Sequence, residues 1–151
     1  MIALYYRKDE GGISMDKKEL VKEALAAREF AYTPYSHFSV GAALLCKSGK
    51  IFRGCNIESA SYTPTNCAER TAFFKAVSEG EREFSAIAVV GGPSEAPPVD
   101  FCFPCGVCRQ VIAEFCSRDF KIYIAKNIEE IKEYSLDDIL PYAFTEKDLY
   151  K

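Results

Sequence analysis

The chain is 151 residues long, with 48% hydrophobic and 27% charged residues and a formal net charge of −3, as expected for one soluble globular domain with a substantial core. A pI of about 5.3 and the lack of a Lys/Arg-rich run argue against binding to long nucleic acid. No apolar run approaches the roughly 18 residues that span a bilayer, and MIALYYRKDEGG lacks the basic region and long apolar stretch of a secretory signal. Seven cysteines with no export signal are therefore expected to be reduced thiols in a cytoplasmic protein, acting as metal ligands, nucleophiles or small core residues.

Residues 1–14 have no amphipathic period and contain Gly11-Gly12, so they are expected to be a loose extension ahead of a single domain over 15–151. Asp16 followed by Glu19 fits a capping box. Leu20, Val21, Ala24, Leu25 and Ala27 supply the apolar stripe of a helix that should end near Tyr32, before Pro34. FSVGAALL (Phe38–Leu45) and IFRGCNIE (Ile51–Glu58) flank a turn and predict a hairpin. Asn66 is placed to cap a second helix that runs to about Ser78 and stops at Gly80. SAIAVVGG (Ser85–Gly92) is a continuous apolar run, expected as a central strand covered on both faces. A Pro-rich loop follows, then a helix from near Pro104 to about Cys116, a strand FKIYIAK (Phe120–Lys126) and a short helix opened by Ser135. The order α-β-β-α-β-α-β-α predicts an α/β fold, a three-layer α-β-α sandwich around a mixed central sheet.

Two segments carry metal chemistry. In FCFPCGVCRQ, Cys102, Cys105 and Cys108 recur every third residue, and in TNCAER, Cys67 stands two residues before Glu69. Cys105 and Cys108 lie one turn apart and can grip one ion. A helix N-terminus favours thiolate over thiol, so two such termini meeting would make a three-thiolate zinc site with water as the fourth ligand. Glu69 is close enough to serve as the base such a site needs. The pattern of a ligand, one residue, a non-ligating Glu and then Pro-Cys-x-x-Cys is the known signature of zinc deaminases, here with Cys67-Ala68-Glu69 in place of the His version.

From about Met15 to Leu149 the chain resembles the small cytidine deaminases of pyrimidine salvage, through the ordered blocks PYSHFSVGAALL, GCNIE, CAERTA, PCGVCRQ and LPYAF. The resemblance implies one Zn2+ per subunit on Cys67, Cys105 and Cys108. It implies hydrolytic deamination of cytidine and 2′-deoxycytidine to uridine and 2′-deoxyuridine. Hydroxide generated at the zinc would attack the ring carbon bearing the amine, with Glu69 as proton shuttle to the ring nitrogen and to departing ammonia. Phe38 would pack on the base, Asn56 and Glu58 would hold the ribose hydroxyls, and backbone groups near Ala68 and Phe103 would meet the base edge. The resemblance also implies a homotetramer in which Phe144 reaches a neighbouring subunit's site, with no nucleic-acid or membrane partner. Three thiolates exceed the charge of a dication, so Arg70 is expected beside them to offset part of it.

Other readings of the same residues stand beside these. Asn66-x-x-Glu69 is itself a capping-box pattern. Cys102 could join Cys67, Cys105 and Cys108 in a closed, non-catalytic four-cysteine zinc site, or in an iron–sulfur variant of it. Cys46, Cys55 and Cys116 are expected to pack as small hydrophobes, and His37, the single histidine, as a surface or packing residue. Phe38 and Phe144 fit core aromatics, Asn56 and Glu58 a turn and a solvated charge, and Gln110 is left open. A related deaminase acting on a nucleoside antibiotic or on polynucleotide is the competing activity.

Overall fold

The computed structural model describes residues 7–9 and 12–150. Strands β1 (Arg7–Asp9) and β2 (Gly12–Ser14) pair antiparallel as a separate ribbon within the expected extension, the rest of which lies outside the described residues.

Helix α1 (Lys17–Arg28) starts where the sequence places it, with the Asp16 side chain accepting from the Lys18 N–H at 3.0 Å. It ends four residues before Tyr32, because the Tyr32 N–H is drawn out of the helix to the Asn56 carbonyl at 3.0 Å. β3 (Phe38–Cys46) and β4 (Ile51–Cys55) form the predicted hairpin. β4 stops short of Glu58 because the Asn56 side chain takes over the pairing. Its Oδ1 accepts from the Val40 N–H at 2.8 Å and its Nδ2 donates to the Phe38 carbonyl at 2.9 Å.

Helix α2 (Ala68–Ser78) is followed by β5 (Phe84–Pro93), α3 (Gly106–Phe115), β6 (Lys121–Ala125), β7 (Ile131–Ser135), α4 (Leu136–Ile139) and α5 (Glu146–Leu149). The sequence reading did not anticipate β7 or α5. β7 is an edge strand, IKEYS, whose charged residues hide the alternation of a strand. α5 is a four-residue turn capped by Thr145. The sheet order is β4-β3-β5-β6-β7, with β5 and β6 parallel and the remaining pairs antiparallel, which is the mixed central sheet expected.

Successive side chains of the inner strands alternate between two cores. Ala42, Leu44, Ile87, Val89, Ile122 and Ile124 face α2, α3 and α4, where Phe73 and Ile112 are fully buried. Ala43, Leu45, Ala86, Ala88, Val90 and Tyr123 face Leu20, Val21 and Ala24 of α1. The apolar β5 is thus covered on both faces. Two glycines set how closely the helices approach: a Cβ at Gly41 would lie 2.0 Å from the Ala24 carbonyl of α1, and one at Gly54 2.2 Å from the Ala68 carbonyl of α2. Among the described residues no helix is long and apolar enough to cross a membrane.

Candidate metal centre

Helices α2 and α3 present their N-termini to one point. Cys67 is the N-cap residue of α2, Cys105 that of α3, and Cys108 lies in the first turn of α3. The three Sγ atoms lie within 4.8 Å of one another, and those of Cys67 and Cys105 are 3.8 Å apart. Two thiolates about 2.3 Å from a tetrahedral zinc are about 3.8 Å apart, so the donor set and its spacing fit that ion. Neither helix has a side-chain cap, leaving first-turn N–H groups and the helix dipoles to favour negative charge at the sulfurs.

The electrostatics already separate the thiols before metal enters. Hydrogen bonds from the Cys108 thiol first, then from Arg70 and Cys105, bring the Cys67 thiol down to about 5 against the opposing effect of burial. Cys108 is pushed up, first by its bond to Cys67, then by burial and the charge of Glu69. The thiolate is thus favoured at Cys67, beside Arg70. Arg70 Nη2 donates to Cys67 Sγ at 3.4 Å, while its Nε is buried with no partner.

Glu69 sits in the first turn of α2, only 4% exposed, with Oε2 accepting from Cys108 Sγ at 3.6 Å. Burial, and to a lesser extent the Cys67 charge, push its carboxyl up to about 7. A carboxyl poised there can both take and give a proton near neutral pH. The capping-box alternative fails at its cap: Cys67, not Asn66, is the N-cap of α2, and Asn66 spends its amide on Thr71 Oγ1 at 3.1 Å and its backbone on Ile57. Pro104 likewise precedes the α3 cap instead of opening the first turn.

Cys102 stands outside the three-thiol group. Its Sγ rests over Gly91, where a Cβ would come within 2.7 Å, and burial pushes its thiol up to about 11. A thiol so placed packs against β5 and closes no four-sulfur site.

The remaining expected residues lie on β3, at the start of α2 and on the loops after β4, β5 and α4. Phe38, 41% exposed, opens β3, and Asn56 pins its carbonyl. Glu58 Oε2 accepts from the N–H groups of Tyr35 and Ser36 at 2.9 and 3.2 Å. The hydrogen bond from the Ser36 side chain is the first cause holding its carboxyl below the usual range. Glu58 lines an open cavity of about 420 Å³ with Tyr35, Ser36, Ser59, Tyr62 and Thr65. The sequence reading missed these neighbours, although the Tyr/Ser/Thr-rich loops YTPYSH and SASYTPT mark them. Ala68 is fully buried, and the Phe103 ring packs edge-on against Tyr134 at 5.3 Å. Phe144 is exposed, and its carbonyl accepts from Gln110 Nε2 at 2.8 Å, giving Gln110 a structural part.

The family described as the cytidine and deoxycytidylate deaminase zinc-binding region matches residues 14–124. A cytidine deaminase of Halalkalibacterium halodurans is 54% identical over 135 residues, 89% of this chain and 98% of that one. A blasticidin-S deaminase of Bacillus cereus is 31% identical over 136 residues, 88% and 95% of the two chains. The crystal structure of a cytidine deaminase from Burkholderia pseudomallei superposes with a TM-score of 0.78 at 47% identity, covering 86% of this chain and all of that one. On the strength of these matches and of the thiol cluster that they place in the matched region, the chain belongs to the zinc-dependent cytidine deaminase family.

Proposed function

We propose that the protein hydrolyses cytidine and 2′-deoxycytidine to uridine and 2′-deoxyuridine with release of ammonia. The observation that carries this reading is the buried Glu69 carboxyl 3.6 Å from Cys108, beside three thiols within 4.8 Å of one another. One zinc per subunit, held by Cys67, Cys105 and Cys108, supplies Lewis-acid activation of water. Glu69 takes a proton from the attacking water and delivers it to the pyrimidine ring nitrogen. Once the C–O bond has formed, it takes the second proton from the new hydroxyl on that ring carbon and passes it to the amine, so that the C–N bond breaks, ammonia leaves and the ring carbonyl of the product remains.

Arg70 offsets thiolate charge through its bond to Cys67. Phe38 packs on the base, backbone groups of Ala68 and Phe103 meet the base edge, and Asn56 and Glu58 bind ribose hydroxyls, Glu58 from the cavity that it lines. Phe144 completes a neighbouring subunit's site in a homotetramer. This cytoplasmic enzyme is one domain over 15–151, with 1–14 as an extension.

The B. cereus relative keeps an antibiotic nucleoside as the competing substrate, but the 54% relative is named a cytidine deaminase. Purified protein mixed with cytidine should lose absorbance in the cytosine band while releasing one ammonia per turnover. Activity on blasticidin S with none on cytidine would overturn the substrate assignment.

A further inference from the structure

Arg28, the last residue of α1, is 6% exposed. The close approach of α1 to β3 at Gly41 puts the Arg28 backbone N–H and Cβ against that strand. Among the described residues its guanidinium bonds no carboxylate. Instead Nε donates to the Ser39 carbonyl at 3.0 Å, and Nη2 to the carbonyls of Gly92 at 3.2 Å, of Ala96 at 2.9 Å and of Pro93. One buried cation thus ties the start of β3 to the loop that leaves β5 for the metal-binding segment. The planar fork of guanidinium donors suits this task, and an ammonium does not.

A second set of bonds joins the same two segments. Ser94 Oγ accepts from Ser39 Oγ at 2.8 Å and lies 2.9 Å from Thr33 Oγ1, while the Ser94 N–H donates to the His37 carbonyl at 2.9 Å. His37 has φ +53, a left-handed conformation that a non-glycine residue adopts only when its surroundings hold it there. The next residue is Phe38, which pairs with Pro93 in the sheet. Thr33, Ser39 and Arg28 are all buried polar groups whose partners converge on this crossing.

We propose that Arg28 and Ser94 are positioning residues that lock the 33–38 loop, and with it the Phe38 ring, onto the loop after β5, and that this lock sets affinity for the nucleoside. The second half rests on the function proposed above, where Phe38 packs on the base. Neither residue needs to touch substrate or metal. Loss of the lock frees Phe38 to move and weakens binding of ground and transition states alike, so KM rises while kcat holds.

Ser94→Ala tests this gently, since it removes one hydroxyl and keeps the Ser94 N–H. Loss of its hydrogen bonds with Ser39 and Thr33, which still bond each other, predicts a KM for cytidine raised roughly three- to ten-fold at near-constant kcat and zinc content. Hydrogen exchange should accelerate across 33–38 but not in β5 or β6, and Ser94→Thr, which restores a hydroxyl, should reverse both effects. Arg28→Lys should raise KM further. If it does not fold, the Ser94 pair still decides. Unchanged exchange across 33–38 in Ser94→Ala overturns the lock, and faster exchange with unchanged KM overturns its link to affinity. Wild-type protein inert toward cytidine would overturn the function instead, and the exchange comparison would still decide the lock.

Discussion

The Arg70 guanidinium donates to the Cys67 thiol sulfur at 3.4 Å, from three residues further along the helix that Cys67 caps. It is a fixed positive charge beside three sulfurs that together carry more negative charge than a dication cancels. Replacing it with alanine should lower turnover by about 10- to 100-fold, the usual range for a group bonded to a metal ligand. Its Nε has no partner among the described residues and its Nη2 loses a sulfur bond, so unfolding stability should change by about 1 kcal/mol or less. Kinetics and chemical denaturation on the zinc-saturated variant check both halves. Near-normal turnover with zinc retained would remove Arg70 from the account.

Cys102→Ser separates the open three-thiol site from a closed one. The Cys102 sulfur packs on Gly91, outside the cluster, so the variant should keep a full complement of zinc and most of its activity. It should lose about 1–2 kcal/mol of stability from burying a hydroxyl. Cys67→Ser, in contrast, should lose metal. Zinc released from Cys102→Ser would mean that the fourth thiol is a ligand after all.

Gly54 decides whether α2 can bring Cys67 and Glu69 to the sheet. A methyl group there would come 2.2 Å from the Ala68 carbonyl and 2.5 Å from the Ala72 nitrogen. The helix must then move off β4, at a cost of at least about 1–3 kcal/mol. Gly54→Ala should therefore melt earlier and bind zinc more weakly than wild type. Unchanged melting and zinc affinity would show that this contact gives way freely.

The pH dependence of the metal-free protein follows from its buried thiols. Burial pushes Cys46 and Cys116 up to about 12 and Cys102 up to about 11, against an ordinary value of 9.0. Folding raises these values, so their contribution to stability is complete below about pH 9 and is lost as pH climbs toward 12. Cys55, Cys108 and Tyr123 shift the same way. The depressed Cys67 works in the opposite sense, but only between about 5 and 9. Denaturation midpoints measured across that alkaline range should fall steadily. A flat profile would contradict the burial assigned to these thiols.

Much of this was legible in the sequence because the signals are local. The apolar run of Ser85–Gly92 located the central strand, and Cys67-Ala68-Glu69 with Pro104-Cys105-Gly106-Val107-Cys108 marked two helix starts that meet. What escaped depends on tertiary partners. Asn66 looks like a cap, but Ile57 and Thr71 claim it. Pro34 places the end of the first helix near Tyr32, but the Asn56 carbonyl draws the Tyr32 N–H away and the helix stops at Arg28. Cys102 is left out of the expected ligand set on sequence, but the resting place of its sulfur over Gly91 is not legible there. Arg28 reads as an ordinary basic residue in a last helical turn, since four backbone carbonyls distant in sequence leave no mark on it.

In the proposed reaction Glu69 moves the protons at a three-thiolate zinc centre. Its most direct test is Glu69→Gln, which keeps the size of the side chain and removes its acid–base chemistry, assayed for bound zinc and for ammonia release from cytidine. The account predicts one zinc per subunit with turnover reduced by about 10²-fold or more. Full activity in the zinc-loaded variant would contradict it.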